Sequence, residues 1–299
     1  MSLTRTIRIA RPLLASLLGL TLALWIAAPA AAQSSKPKKP RNPASQTPPP
    51  SQPPPSQPPP SQPPPSQPPP PSPPPDNPVL RRVDQKLQAY ATGAARAELG
   101  DLAKQDSPGP LTAMGRIYEQ EKKYGEAATA LQKAANLAPA DPAPWAHLGE
   151  AYLHQKRTAD ATAAFREAEK RARAAVTSRP NDVEANYHLG WALQRLQQYG
   201  PALDSLHKAR ELAPGNPMPA YQIGLTHALQ GKWQESVDEL TRAIELNPNL
   251  AYAYYYRGQA ASKVDRQDLL IADLEKFLKL APDAPEAPIA ARVVASARR

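Results

Sequence analysis

The sequence predicts an all-α repeat fold, and three periodic features predict it. Five glycines, Gly115, Gly149, Gly190, Gly224 and Gly258, are separated by 34, 41, 34 and 34 residues. Five prolines, Pro139, Pro180, Pro214, Pro248 and Pro282, keep the same spacings. Between each glycine and its proline stands a large apolar residue, Leu131, Phe165, Leu206, Leu240 or Leu274, followed three residues on by Ala134, Ala168, Ala209, Ala243 or, in the last unit, Phe277. Apolar residues at that step share one face of a helix, and a period of 34 is that of a repeating helical unit.

At the amino end, Arg5, Arg8 and Arg11 precede an uncharged, leucine-rich run from Pro12 to Ala32. Charge followed by an apolar run is the order of a secretory signal, and Ala30 and Ala32 supply the small residues a signal peptidase requires. Residues 1–32 are therefore expected to be a signal peptide, the mature chain to begin at Gln33, and the protein to be periplasmic or extracellular. An uncleaved membrane anchor is the alternative reading, because about twenty apolar residues suffice to cross a bilayer. No cysteine follows the run, which excludes a lipoprotein-type anchor.

Residues 33–78 read as a disordered proline-rich linker. Lys36, Lys38, Lys39 and Arg41 come first, then a Ser-Gln-Pro-Pro-Pro period begins at Ser51, Ser56, Ser61 and Ser66. Proline fixes φ and lacks an amide donor, so the expected form is extended polyproline II with no hydrogen-bond ladder. Forty such residues at about 3.1 Å each reach roughly 120 Å. The segment reads as a spacer, with a ligand for proline-reading domains as the alternative. The basic cluster allows residues 1–41 to lie near a membrane or cell wall.

The basic balance belongs largely to the ends of the chain rather than to the folded part. Of the net charge of +9, residues 1–32 carry +3 and 33–78 carry +3; 79–299 hold 29 Lys and Arg against 26 Asp and Glu, again +3. A near-balanced repeat region argues against nucleic-acid binding. The absence of cysteine removes disulfides, thiolate metal sites and thiol nucleophiles. No phosphate-binding loop, nucleophile elbow or H-E-x-x-H is present, so no catalytic, cofactor-binding or metal-binding residue is assigned and a non-enzymatic protein is expected. His147 and His188 occupy matching places in neighbouring units, but no carboxylate pattern completes a metal site.

The glycine, apolar and proline pattern from Pro108 to Pro282 resembles the tetratricopeptide repeat (TPR) family. The resemblance implies paired antiparallel helices stacked into a right-handed α-α superhelix, with repeats at 108–141, 142–182, 183–216, 217–250 and 251–282. Ala127, Ala161, Ala202 and Ser236, small residues early in the second helices, are expected to approach the glycines closely. The fifth repeat, with Leu270 and Phe277, is expected to pack more loosely or at another angle. The 41-residue spacing marks seven extra residues between Ala168 and Pro180. Seven is nearly two turns, so the inward face is kept, and Glu169–Val176 is expected to project beyond the edge as a solvated extension or a basic contact finger. Residues 79–107, with Val83, Leu87, Tyr90, Leu99 and Leu102, read as a degenerate helical pair. Residues 283–299 read as a capping helix with Ile289, Val293 and Val294 on its apolar side.

The resemblance also implies a concave face lined by first helices, where a protein or peptide partner binds. Tyr187, Tyr221 and Tyr255 recur at that face, and Trp191, Leu225 and Gln259 follow each by four residues and share its side. Met218 and Tyr252 extend the patch by one turn. The expected partner-binding set is Tyr187, Trp191, Met218, Tyr221, Leu225, Tyr252 and Tyr255, suited to an extended peptide or a helix; ordinary packing is the competing reading for the tyrosines. Thr112, Arg116, Ala146 and Glu150 make a more polar surface at the other end. Relatives that grip a carboxyl-terminal tail use a Lys, Arg and Asn set, whereas the equivalent places here hold Thr112, Arg116, His147, Tyr187 and Trp191. An envelope scaffold, an anchored envelope-spanning structural protein and a non-catalytic subunit of a cell-wall or glycan enzyme all remain open.

Overall fold

The computed structural model describes residues 77–298; the expected signal segment and nearly all of the proline-rich linker lie outside that range. Thirteen α-helices and one 3₁₀ helix make up the described residues, with no strand among them. A first pair is α1 (Pro78–Gln88) and α2 (Thr92–Leu99), followed by a 3₁₀ turn, Gly100–Lys104. Five antiparallel pairs follow: α3 (Pro108–Gln120) with α4 (Tyr124–Leu137), α5 (Pro142–His154) with α6 (Thr158–Ser178), α7 (Val183–Arg195) with α8 (Tyr199–Leu212), α9 (Pro217–Leu229) with α10 (Trp233–Leu246), and α11 (Ala251–Lys263) with α12 (Gln267–Leu280). Helix α13 (Ala287–Ala297) closes the stack against α12, burying Ala290, Val293 and Val294 and half-burying Ile289. The architecture is an α-solenoid.

Local chemistry sets the ends of the helices. Side chains of Asn77, Asp141, Asp182 and Asn216 accept hydrogen bonds from first-turn amides of α1, α5, α7 and α9 at 2.9–3.0 Å, satisfying donors that a helix start leaves open. Prolines in the first turns cost little, because those amides have no helical acceptor. Each first helix ends in one recurring turn. Lys122, Lys156, Gln197, Gly231 and Asp265 all have φ of 60–74°. The amide after each reaches back to a carbonyl of the helix it leaves, as in Lys123 N to Tyr118 O at 2.8 Å and Arg157 N to Tyr152 O at 2.9 Å. This is the Schellman arrangement, which favours glycine at the left-handed position. Tyr90, with φ of 56°, takes the same place between α1 and α2, so the first pair is turned by the same device as the repeats.

Packing inside each pair differs from the expectation of small residue against small residue. A Cβ added at Gly115, Gly149, Gly190 or Gly224 would fall 2.4–2.7 Å from Leu131, Phe165, Leu206 or Leu240. The glycine therefore makes room for the large apolar residue of the second helix, four positions beyond the small one. Ala127, Ala161, Ala202 and Ser236 are fully buried beside this contact. In the last repeat the nearest atom to such a Cβ at Gly258 is Asp273 Cβ, at 3.3 Å. Asp273 is nearly buried and holds Arg257 through two contacts at 2.7 and 2.9 Å, so an ion pair replaces part of the apolar interlock.

The seven extra residues do not project. Helix α6 has 21 residues where the other second helices have 14, and the added turns continue its buried stripe through Ala172 and Val176, packed on Leu189, Leu193 and Ala202 of the next repeat. Arg171 lies 4.6 Å over the Trp145 ring and donates to the Pro139 carbonyl. Lys170, Arg173 and Ala174 keep the solvent face. The physical reason is the near-integral number of turns: the insertion lengthens the inward face along with the helix.

The two ends of the stack meet. Asn247 Nδ2 donates to Gln88 Oε1 at 3.0 Å across 159 residues of chain. The Tyr90 ring lies 5.8 Å from that of Tyr252, within the apolar cluster of the last repeat. Tyr90 also donates to the Gln120 carbonyl at 3.2 Å, and Gln120 to the Leu87 carbonyl at 2.7 Å. The turn between α1 and α2 is thus tied both to the first repeat and to the fifth.

Two stability measurements follow from these contacts. Lys156→Gly should raise the urea midpoint, with a gain of roughly 0.5–1 kcal/mol, because relief of the left-handed strain exceeds the entropy glycine adds to the unfolded chain. Gly190→Ala should lose about 1–2 kcal/mol, since its Cβ would meet both Leu206 and the Ala202 carbonyl and overpacking outweighs helix propensity. Gly258→Ala should be neutral or stabilising in the same assay.

Candidate functional site

First helices of neighbouring repeats touch one another, α3 to α5, α5 to α7, α7 to α9 and α9 to α11, while second helices make no comparable contact with each other. The first helices therefore form the inner, concave side. Their sequences divide that side into a charged half on α3, α5 and α7 and an aromatic half on α9 and α11.

Ion pairs organise the charged half. Arg116 meets Asp84 of α1 at 2.6 Å, and Arg195 meets Glu150 at 2.5 Å with both side chains close to nine-tenths buried. Trp191 Nε1 donates to the same Glu150 oxygen at 3.2 Å. The His147 ring stands edge-on to Trp191 at 4.9 Å, and His188 lies 5.8 Å from Trp191 on another side. Carboxylates accompany both rings: Glu119 Oε2 is 3.6 Å from His147 Nδ1, and Glu184 Oε2 is 3.7 Å from His188 Nε2. No group of three or more His, Asp or Glu suited to a metal occurs among the described residues.

Burial sets the protonation of this half. Desolvation, reinforced by Arg116, pushes His147 well below the ordinary imidazole range and His188 down to about 4. Desolvation and the neighbouring Glu150 push the Glu119 carboxyl well up, against the opposing pull of Arg116 and Arg195. A low-dielectric surround disfavours whichever form is charged.

Rings fill the aromatic half. Tyr252 is 6.2 Å from Tyr255, 6.1 Å from Tyr256 and 5.5 Å from Phe277, and Tyr221 is 6.3 Å from Tyr256. Tyr252 donates its hydroxyl to Glu286 at 2.7 Å, just before the closing helix. Burial and Glu286 together raise the Tyr252 and Tyr90 phenols, the latter to about 12.

The expected contact stripe is split by this packing. Tyr187, Trp191, Leu225 and Tyr255 are at most 9% exposed and belong to the inner packing layer; Met218, Tyr221 and Tyr252 are half-buried and form its accessible edge. The correction is physical: Tyr255 lies 5.0 Å from Phe277, and Tyr187 and Trp191 pack on His188, so these rings spend their surface on neighbours. Tyr256 and Glu286 join the lining without having been singled out in the sequence, and Glu119 joins it against the sequence reading, in which it is a solvated carboxylate on an exposed helical face like Glu121 and Glu126: its side chain is only 15% exposed. Tyr256 had a visible signal, since it lies four residues after Tyr252 on one helical face. Glu119 and Glu286 had none, because their neighbours come from other helices.

Family models described as "Tetratricopeptide repeat" match residues 112–172 and 165–217, and one described as "TPR repeat" matches 224–264. The chain is a tetratricopeptide repeat protein. It is 30% identical over 105 residues to the DnaJ homolog subfamily C member 3 of Bos taurus, a match covering 35% of this chain and 21% of that protein. It is 27% identical over 92 residues to the photosystem I assembly protein Ycf3 of Rippkaea orientalis (strain PCC 8801 / RF-1), covering 27% of this chain and 53% of that one. The solved structure of a thermophilic TPR protein of Thermus thermophilus superposes with a TM-score of 0.51 at 19% identity, over 64% of this chain and all of the other. That likeness is one of fold. TPR folds are protein–protein interaction scaffolds and are in general non-catalytic.

The buried imidazoles make stability depend on pH with a definite sign. The unfolded chain binds a proton at His188 below about 6.5 that the folded TPR chain refuses until about 4, so the contribution is whole above 6.5 and is lost as pH falls toward 4. Glu119 has the opposite sign: its raised carboxyl favours the fold at low pH and weakens it as pH rises through that raised value. Urea unfolding of His188→Gln should accordingly show less loss between pH 6.5 and 4 than the parent, by up to roughly 3 kcal/mol. Parallel curves would contradict neutral burial of the ring.

Proposed function

We propose that this TPR chain is a non-enzymatic scaffold that works outside the cytoplasm and holds an extended peptide or a helix of a protein partner against its concave face. The supporting observation is the accessible edge of the lining that the inner helices form: Met218, Tyr221 and Tyr252 on α9 and α11 are half-buried, with surface that the neighbouring rings leave uncovered. An extended peptide or a helix sets apolar side chains on footholds of this kind.

Work outside the cytoplasm rests on the arginine-then-apolar order of residues 5–32 and on Ala30 and Ala32. The uncharged run from Pro12 to Ala32 also supports retention as an anchor, in which case the proline-rich segment would hold the repeats away from a membrane. The amino-terminal residue of the mature protein separates the two: Gln33 supports release, Met1 an anchor.

Affinity capture from an envelope fraction tests the groove. The parent chain should retain a defined partner that Tyr221→Ala and Tyr252→Ala variants lose, with loss of about 2 kcal/mol or more per ring as for buried interface aromatics. An unchanged set of captured proteins would remove the concave face as the binding surface.

A further inference from the structure

The charged half of the groove carries a sign opposite to that of the chain. Asp84 is paired with Arg116 and Glu150 with Arg195, and both guanidiniums also pull on the Glu119 carboxyl. Glu119 differs in keeping one oxygen open. Its Oε2 lies 3.6 Å from His147 Nδ1, and burial holds that imidazole neutral. One of its oxygens, Oε1, is buried with no hydrogen-bond partner, although the side chain as a whole keeps 15% of its surface exposed. Rotation about the terminal torsion, which is soft and two-fold in glutamate, exchanges the two oxygens at little cost.

We propose that Glu119 is the seat for a lysine or arginine side chain of the bound partner segment. The inference rests on the groove reading above and adds to it the chemistry of the partner. An arriving ammonium or guanidinium donates to the Glu119 oxygen that has no hydrogen-bond partner, in a surround where a charge pair is stronger than in water. Glu150, close enough to raise the Glu119 carboxyl, adds to the negative field. The half-buried tyrosines of α9 and α11 then take the apolar remainder of the same segment. The polarity is the reverse of a basic clamp for carboxyl-terminal tails. A segment with a negative charge at this point is rejected, because it would add to Glu119 and Glu150.

Selection of a random-peptide phage library on the full chain tests the proposal. Peptides retained by the parent should be enriched in Lys or Arg, and replacing that residue by norleucine should weaken binding about tenfold or more, the scale of one charge-assisted contact. Glu119→Gln should cause the same loss and Glu119→Asp a smaller one, both with helical circular dichroism unchanged. Affinity for a lysine-bearing peptide should rise with pH as Glu119 ionises, and affinity for the norleucine peptide should not. If selected peptides lose binding to Tyr221→Ala and Tyr252→Ala but show no basic preference and bind Glu119→Gln equally, the seat is wrong and the groove stands. If no selected peptide depends on the groove tyrosines, the groove reading fails and the seat fails with it.

Discussion

One steric exchange recurs through the solenoid: a glycine in the first helix leaves a hollow, and a large apolar side chain of the second helix fills it. With Leu131, Phe165, Leu206 or Leu240 so placed, no side chain can stand at Gly115, Gly149, Gly190 or Gly224 without displacing its neighbour. The contact holds each pair of helices at a close and repeatable crossing, and a repeated crossing turns a row of hairpins into a curved stack. Where the exchange is relaxed, at Gly258, an Arg257–Asp273 ion pair takes over, in the repeat that meets the closing helix.

Curvature brings the first pair of helices back to the fifth repeat. The Asn247–Gln88 hydrogen bond and the Tyr90–Tyr252 ring contact are consequences of that curvature, and they turn an open groove into an enclosed one. Enclosure explains the electrostatics. His147, His188, Glu119, Tyr221 and Tyr252 all depart from their ordinary titration ranges with burial as the largest cause. A concave face of this kind is a half-dry lining with its own charge balance.

Helix class, repeat period and the order of helices were legible because each depends on residues close in sequence: glycine and proline spacing, first-turn prolines, and apolar steps of three and four. The apolar face of α13, read from Ile289, Val293 and Val294, is of the same kind. What Glu119 faces was not legible, because its surroundings come from α5 and α7, and a pairwise match of charges across helices leaves no local pattern. The partner of each glycine was misread for a related reason: sequence shows that Ala127 and Leu131 are both on the inward face, but only the crossing geometry decides which of them enters the hollow. The two extra turns of α6 were placed correctly along the chain and wrongly in space, since periodicity says which side faces inward and not whether a neighbour is there to meet it. Closure, which joins residues 159 apart, has no trace in local sequence.

Enclosure of the groove by contact between the two ends is the claim on which the charge argument stands. The chain has no cysteine, so cysteines introduced at the exposed Gln85 and Asn249 can carry a pair of spin labels without background, and pulsed dipolar spectroscopy reads the distance between them in solution. The account predicts one short, narrow distance, which Tyr90→Ala combined with Asn247→Ala lengthens and broadens. A long, broad distribution in the parent chain would show an open solenoid and would contradict it.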